Sequence, residues 1–229
     1  MAGDQSVTLE TYPDREILAM DVADKLASEL RAALAQKDVV SLAVAGGTTP
    51  GPIFDVLCDV DLDWDRVRVL PTDERWVPED DPRSNAKLIR ERLLTGRAAA
   101  AVQVPMAAAP QDPDTALAEL ESRIAPLLPL DIVVLGMGAD MHTASLFPGT
   151  PGLADALAPN APVLAVLRPE SQPEVRVSLT ARVLQDAMRT HLVITGADKR
   201  EALDRARQLP LEEAPVRAIL GGTTIHWAE

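Results

Sequence analysis

The sequence has little from which to build a disulfide, a metal centre or a membrane span. Cys58 is the only cysteine in 229 residues, so no internal disulfide can form, a usage compatible with a reducing compartment. By itself Cys58 reads as small apolar filler on a helix. The three histidines, His142, His191 and His226, are widely spaced and none lies near Cys58, so no zinc-ligand pattern is present. No apolar run approaches the roughly 18 residues of a membrane span. The polar opening at Met1 also lacks the basic-then-apolar order of an export signal. These absences lead us to expect a soluble, cytoplasmic protein.

Basic residues are also scarce: 22 Lys and Arg against 35 Asp and Glu give a formal net charge of −13. That balance argues against nucleic acid or an anionic membrane surface as partner. A small anion is still allowed, because surface charge beyond about 8 Å is screened and a local cluster of donors decides binding. There is no Gly/Ser linker, low-complexity tract or repeat of solenoid period, so residues 1–229 are expected to form a single domain with one sizeable core. Abundant Ala and Pro with few aromatics reads as a compositional bias of the source.

Periodicity then sets the fold class. From Pro13 to Lys37 the apolar residues Ile17, Leu18, Val22, Leu26, Leu30 and Leu34 recur mostly four apart, as in an amphipathic helix. Val39 to Val44 is a short β-rich run that ends at Gly46-Gly47-Thr48-Thr49-Pro50, after which Ile53, Phe54 and Leu57 resume helical spacing. Strands are expected at Val67–Leu70, Ala101–Val104, Leu130–Leu135, Val163–Leu167, Val175–Leu179, His191–Thr195 and Thr224–Trp227. Helices are expected at Asn85–Leu94, Thr115–Leu128, Ala181–Asp186 and Lys199–Gln208. Such alternation predicts an α/β three-layer sandwich, with a mostly parallel, Rossmann-like sheet covered by helices on both faces.

Three segments could carry chemistry, and each follows a strand, where open α/β sheets place their ligand crevices. In Gly46-Gly47-Thr48-Thr49-Pro50 the glycines allow close backbone approach, the hydroxyls donate, and Pro50 suits a first helical position, an arrangement fit for a phosphate. The same string is equally an ordinary strand-to-helix turn, since it lacks the Gly-Lys-Ser/Thr ending of a nucleotide loop. Gly221-Gly222-Thr223-Thr224 repeats it but runs into the terminal strand with no helix behind it. Asp73-Glu74-Arg75-Trp76-Val77-Pro78 with Ser84-Asn85 is either a solvated turn or a site in which Arg75 offsets developing negative charge while a carboxylate orients a base or a water. His142 follows Gly136, Gly138 and Asp140 at a strand end, and imidazole suits proton transfer near neutrality. His191 opens a strand and His226 lies near the end of the chain, so both read as structural.

Other patterns fail on mechanism. Gly136-Met137-Gly138 begins a dinucleotide fingerprint, but Met141 stands at its third glycine and Asp155 is not at a strand end. Asp59, Asp61, Asp63 and Asp65 alternate like a calcium loop, yet Trp64 and Leu70 occupy the positions that need Gly and Glu. Ser145 lacks a Gly-x-Ser-x-Gly elbow, which makes it a poor nucleophile.

Taken together the segments closely resemble the 6-phosphogluconolactonase family, within the group that includes glucosamine-6-phosphate deaminases. The resemblance rests on Ala45 to Pro50, Asp73 to Pro78 with Ser84-Asn85, and His142-Thr143-Ala144-Ser145-Leu146-Phe147-Pro148-Gly149. It extends through Arg176-Val177-Ser178-Leu179-Thr180 and Thr195-Gly196-Ala197-Asp198-Lys199. Deaminases carry Asp-Glu-Tyr where this chain has Asp73-Glu74-Arg75, and differ after the histidine, which favours the lactonase branch. The resemblance implies hydrolysis of 6-phospho-D-glucono-1,5-lactone without a cofactor, on a phosphorylated sugar lactone as the small-molecule partner, by a monomer or small homo-oligomer. It implies that His142 is the general base and that Asp73 and Arg75 order water and offset the oxyanion. Gly46, Gly47, Thr48, Thr49, Asn85, Arg176 and Lys199 would bind substrate, with the phosphate among Gly47, Thr48, Arg176 and Lys199. Taken alone, Arg176 is a strand-edge charge and Lys199 an ordinary helix residue. Met141 departs from the family pattern, which has Gly there; such a glycine would supply positive φ or close approach. The competing readings are a deaminase or isomerase of an amino sugar phosphate, and a non-catalytic sugar-phosphate sensor. The sensor is disfavoured because the chain has no room or basic helix for a DNA-binding part.

Overall fold

The computed structural model describes residues 7–229; the polar opening at Met1 lies outside them. Seven strands stand side by side in the order β1 (Thr8–Thr11), β10 (Thr224–Ala228), β9 (Arg189–Thr195), β6 (Ile132–Leu135), β2 (Val40–Val44), β3 (Val67–Pro71) and β5 (Val102–Gln103). Every neighbouring pair is parallel. The central strands β2 and β6 are buried along their whole length, because helices cover both faces of a parallel sheet. On one face α1 (Arg15–Leu34), α2 (Gly51–Leu57) and α3 (Asn85–Arg92) share a core with Val40, Leu42 and Val44. On the other, α4 (Pro113–Ile124), α5 (Leu153–Leu157), α6 (Ala181–Gln185) and α7 (Ala197–Ala206) pack with Ala43, Val133 and Leu135. The α/β layering expected from periodicity is therefore present.

Helix α1 shows how the pattern becomes structure. Asp14 accepts the Ile17 backbone N–H at 2.8 Å and caps the helix, satisfying a donor that no helical carbonyl can reach. Leu18, Val22, Leu26, Leu30 and Leu34 then form the buried stripe. The flanks of the expected span, Pro13 and Lys37, fall outside the helix.

Two expectations are corrected. Val163–Leu167 and Val175–Leu179 do not extend the parallel sheet: β7 (Leu164–Leu167) and β8 (Arg176–Leu179) are antiparallel and belong to a separate three-stranded sheet in which β8 is central. Their connection is shorter than the dozen or more residues a parallel crossover needs. The third member, β4 (Asp73–Arg75), is the segment expected to be a loop; it leaves β3 at Pro71 and pairs antiparallel with β8. Strand β1 was not anticipated, since Thr-Leu-Glu-Thr at a sheet edge carries too few apolar residues to stand out. The Ala101–Val104 strand contracts to Val102–Gln103.

From β2 the chain steps to β3 and β5 on one side, then returns to β6 on the other side of β2. That reversal is a topological switch point, where loops leaving neighbouring strands diverge and open a crevice at their carboxyl ends. Among the described residues no helix is long and apolar enough to cross a membrane.

His191 and His226 lie under α1, away from this crevice. His191 Nε2 is 2.8 Å from the Glu29 carboxylate, His191 Nδ1 is 3.0 Å from His226 Nε2, and His226 Nδ1 is 2.9 Å from the Tyr12 hydroxyl. Burial, with the His191 charge adding to it, lowers the His226 pKa from 6.5 to about 4. The folded chain thus keeps His226 neutral while the unfolded chain takes up a proton below about pH 6.5. Stability is lost as pH falls from about 6.5 to about 4, where the folded form also protonates. Urea denaturation across that window is expected to show a falling midpoint, with a shallower fall in His226→Gln. Superimposable pH curves for the two chains would exclude His226 as a source.

Candidate active site

A cleft of about 310 Å³ opens at the switch point, and the loops after β2, β3, β6 and β9 all reach it. It is lined by every residue singled out in the sequence: His142, Asp73, Arg75, Gly46, Gly47, Thr48, Thr49, Asn85, Arg176 and Lys199. Met137, Phe147 and Gln172 join them.

The glycine loop is shaped by its neighbour. A Cβ on Gly46 would fall 1.9 Å from Asn85 Oδ1, so only glycine leaves space for that amide, and Gly47 takes φ +86°. Asn85 is buried and its Nδ2 donates to the Asp73 carbonyl at 2.8 Å. It is therefore a strut between two loops. Pro50 sits one position before the first turn of α2, at the cap, and Pro52 occupies the turn itself.

In β4 alternate side chains face opposite ways. Asp73 and Arg75 line the cleft, while Glu74 between them turns into the protein. Its carboxylate accepts the backbone N–H groups of Arg75 (2.7 Å), Asn85 (2.8 Å) and Ala86 (2.7 Å), and the Ser84 hydroxyl at 3.2 Å. Burial raises the Glu74 pKa even against those hydrogen bonds. Asp73 Oδ2 accepts the Ser145 hydroxyl at 2.5 Å. Ser145 is thus fully buried and committed to Asp73, consistent with its poor prospects as a nucleophile.

Beyond β6 the chain turns tightly: Met141 N–H donates to the Gly138 carbonyl and Gly138 N–H to the His142 carbonyl, both at 3.0 Å. A Cβ on Gly138 would meet His142 Nδ1 at 2.2 Å. Met141 adopts φ +66° and Ala144 φ +47°, left-handed geometry that costs a non-glycine residue about 1–2 kcal/mol. The position where the family pattern has glycine does require positive φ, and Met141 accepts it while packing its side chain against the core. Asp140 Oδ1 lies 2.5 Å from His142 Nδ1 and 3.2 Å from its backbone N. Burial would raise the Asp140 pKa, but the hydrogen bond and charge of His142 outweigh it and the net shift is downward. The imidazole stacks on Phe147, with centroids 4.1 Å apart and planes at 27°.

Also lining the cleft, Arg75 on β4 stands opposite Arg176 on β8. Arg176 is buried, its Nη2 donates to Gln172 Oε1 at 2.8 Å, and its guanidinium carbon lies 5.6 Å from the Phe147 centroid. Burial first, then the Arg75 charge, lowers the Arg176 pKa. The Nε atoms of both arginines are buried without a hydrogen-bond partner among the described residues. Unpaired donors on facing cations, in a cleft that also receives Lys199, suit an anion. Sequence reasoning quoted Glu74, Asp140 and Phe147 within its motifs but gave none of them a role in the site, and it did not reach Gln172. Asp140, two residues before His142, was within reach; the three polar residues of β4 gave no period to mark Glu74, and Gln172 had no signal.

The sequence pattern of the glucosamine-6-phosphate isomerases/6-phosphogluconolactonase family matches residues 13–227. The chain belongs to that family. It is 40% identical over 230 residues to a 6-phosphogluconolactonase of Rhizobium meliloti, covering 97% of this chain and 99% of that protein. It is likewise 40% identical over 227 residues to one of Pseudomonas aeruginosa, with 96% and 94% covered. A crystal structure of a 6-phosphogluconolactonase from Shewanella baltica superposes with TM-score 0.94 at 28% identity, over 99% of each chain. One of a putative 6-phosphogluconolactonase from Neisseria gonorrhoeae gives 0.89 at 33%, over 98% and 100%. In this family member, Gly46→Ala should force Asn85 from its buried place and loosen the link to Asp73. A loss of about 1–3 kcal/mol is expected by urea denaturation, and an unchanged midpoint would show that the Asn85 contact is dispensable.

Proposed function

We propose that the chain hydrolyses 6-phospho-D-glucono-1,5-lactone to 6-phosphogluconate, the second step of the oxidative pentose phosphate pathway. The proposal treats residues 1–229 as one domain, a monomer or small homo-oligomer acting in the cytoplasm. The observation that carries the mechanism is the 2.5 Å contact between Asp140 Oδ1 and His142 Nδ1. With the carboxylate holding a proton on Nδ1, Nε2 is left as the free base.

His142 Nε2 removes a proton from water as the water oxygen attacks the lactone carbonyl carbon, and the carbonyl becomes a tetrahedral oxyanion. Arg75 offsets that charge, and Asp73, held by Ser145 and the Asn85 strut, orders the water and sugar. When the ring C–O bond breaks, the imidazolium returns its proton to the departing ring oxygen, so that water is the only reagent consumed. Arg176 and Lys199 hold the phosphate with charge-assisted hydrogen bonds, beside the backbone of Gly47 and the hydroxyl of Thr48. Rigid placement of lactone and base in one cleft lowers the entropic part of the barrier.

His142→Ala should lower kcat about 10²–10⁴-fold, while Asp140→Asn, which removes the group fixing the tautomer, should lower kcat with little change in KM. Near-unchanged lactone hydrolysis by His142→Ala would remove it as the base. Rates on phosphorylated and unphosphorylated gluconolactone, compared at mildly acidic pH where background hydrolysis is slow, should differ strongly; equal rates would refute the phosphate pocket.

A further inference from the structure

The connection between β7 and β8 delivers a carboxylate that this mechanism leaves idle. Glu174 is largely buried, with its side chain 9% exposed. One oxygen, Oε1, pairs with Arg83 Nη1 and the other, Oε2, lies 3.5 Å from Arg176 Nη2. The two arginines differ in place: Arg176 is buried inside the cleft, whereas the Arg83 side chain is 54% exposed and is shared with Asp81, whose Oδ1 lies 3.1 Å from Arg83 Nε. Arg83 also meets the site through its backbone, where its carbonyl accepts Arg75 Nη1 at 2.5 Å.

Arg75 and Arg176 face each other across an antiparallel pair, a placement that repels. Asp73, Glu174 and Glu74 are the carboxylates whose charges act on Arg176 against burial and Arg75. Asp73 is already held by Ser145, and Glu74 by three backbone N–H groups. Glu174 alone is divided between a cation inside the cleft and one outside.

We propose that Glu174 sets the strength of the anion grip: it withholds part of the Arg176 charge from a bound phosphate, and Arg83, by drawing the same carboxylate outward, limits how much is withheld. The inference rests on the reading that Arg176 meets the substrate phosphate. It makes Glu174 a determinant of affinity that touches no reacting atom. A dianion gripped by Arg176 and Lys199 with no opposing carboxylate would also be released slowly as product.

The two halves of the contact then have opposite effects. Glu174→Gln keeps the shape and removes the charge, so inorganic phosphate and 6-phosphogluconate should bind about 5-fold tighter by titration calorimetry at fixed ionic strength. Arg83→Met leaves Glu174 wholly to Arg176, and both ligands should bind about 5-fold more weakly, with kcat on unphosphorylated gluconolactone unchanged. The double variant should recover the tight binding of Glu174→Gln, which a contact serving only to brace the loop would not do. Weakening in both single variants, or no change in either, overturns the inference while leaving the phosphate pocket standing. If Glu174→Gln does not fold, failure of Arg83→Met to weaken phosphate binding overturns it. If the unaltered chain binds neither ligand and turns over both lactones equally, the phosphate reading fails and the inference with it.

Discussion

Backbone N–H groups from two separate elements converge on the carboxylate of Glu74, and the candidate site is arranged around that convergence. Arg75 belongs to β4, Asn85 and Ala86 to the first turn of α3. Each buried N–H left without a partner costs about 1–3 kcal/mol, so strand and helix are held together by the need of each for the same acceptor. Once they are joined, Asn85 lies under the glycine loop, Asp73 points to the cleft, and Arg75 stands opposite Arg176. Burial penalises the Glu74 charge, which shows in its raised pKa; the convergent N–H groups are the compensation.

The cleft itself holds several arrangements that a stable fold would otherwise avoid. Two guanidinium groups face each other with Nε atoms that find no partner among the described residues, and Met141 and Ala144 adopt left-handed backbone. Such costs cluster where geometry must be fixed before a ligand arrives. The tight turn presents His142 to Asp140 and Phe147 at once. Ser145, from the same loop, reaches Asp73 and receives support from Ser178 of β8, whose hydroxyl accepts the Ser145 N–H at 3.2 Å. The loop that carries the imidazole and the strand that carries the carboxylate are therefore one hydrogen-bonded unit, and the water and the lactone in the proposed reaction meet groups already in place.

Much of the fold was legible in the sequence because hydrophobic period is a local property. The stripe of α1 and the β-rich runs of β2 and β6, buried throughout, follow from which residues must be buried on one face or on two. The antiparallel sheet was less legible: the β7 and β8 runs look like any other strands, and only the short connection between them forbids a crossover. β4 is three residues long and polar, so no period marks it. Asp140 stood in view beside His142, whereas Gln172 and Glu174 lie in a polar loop with nothing in their spacing to connect them to Arg176.

The sequence by itself determined the layered α/β architecture and the residue types available at strand ends, because apolar spacing and glycine turns act over a few neighbouring residues. Tertiary structure alone decided that loops scattered between Gly46 and Lys199 share one cleft, that Asn85 is a strut, and that Arg176 is a buried cation facing Arg75. The reason is that strand order and register set which loop ends become neighbours, and no local pattern encodes them.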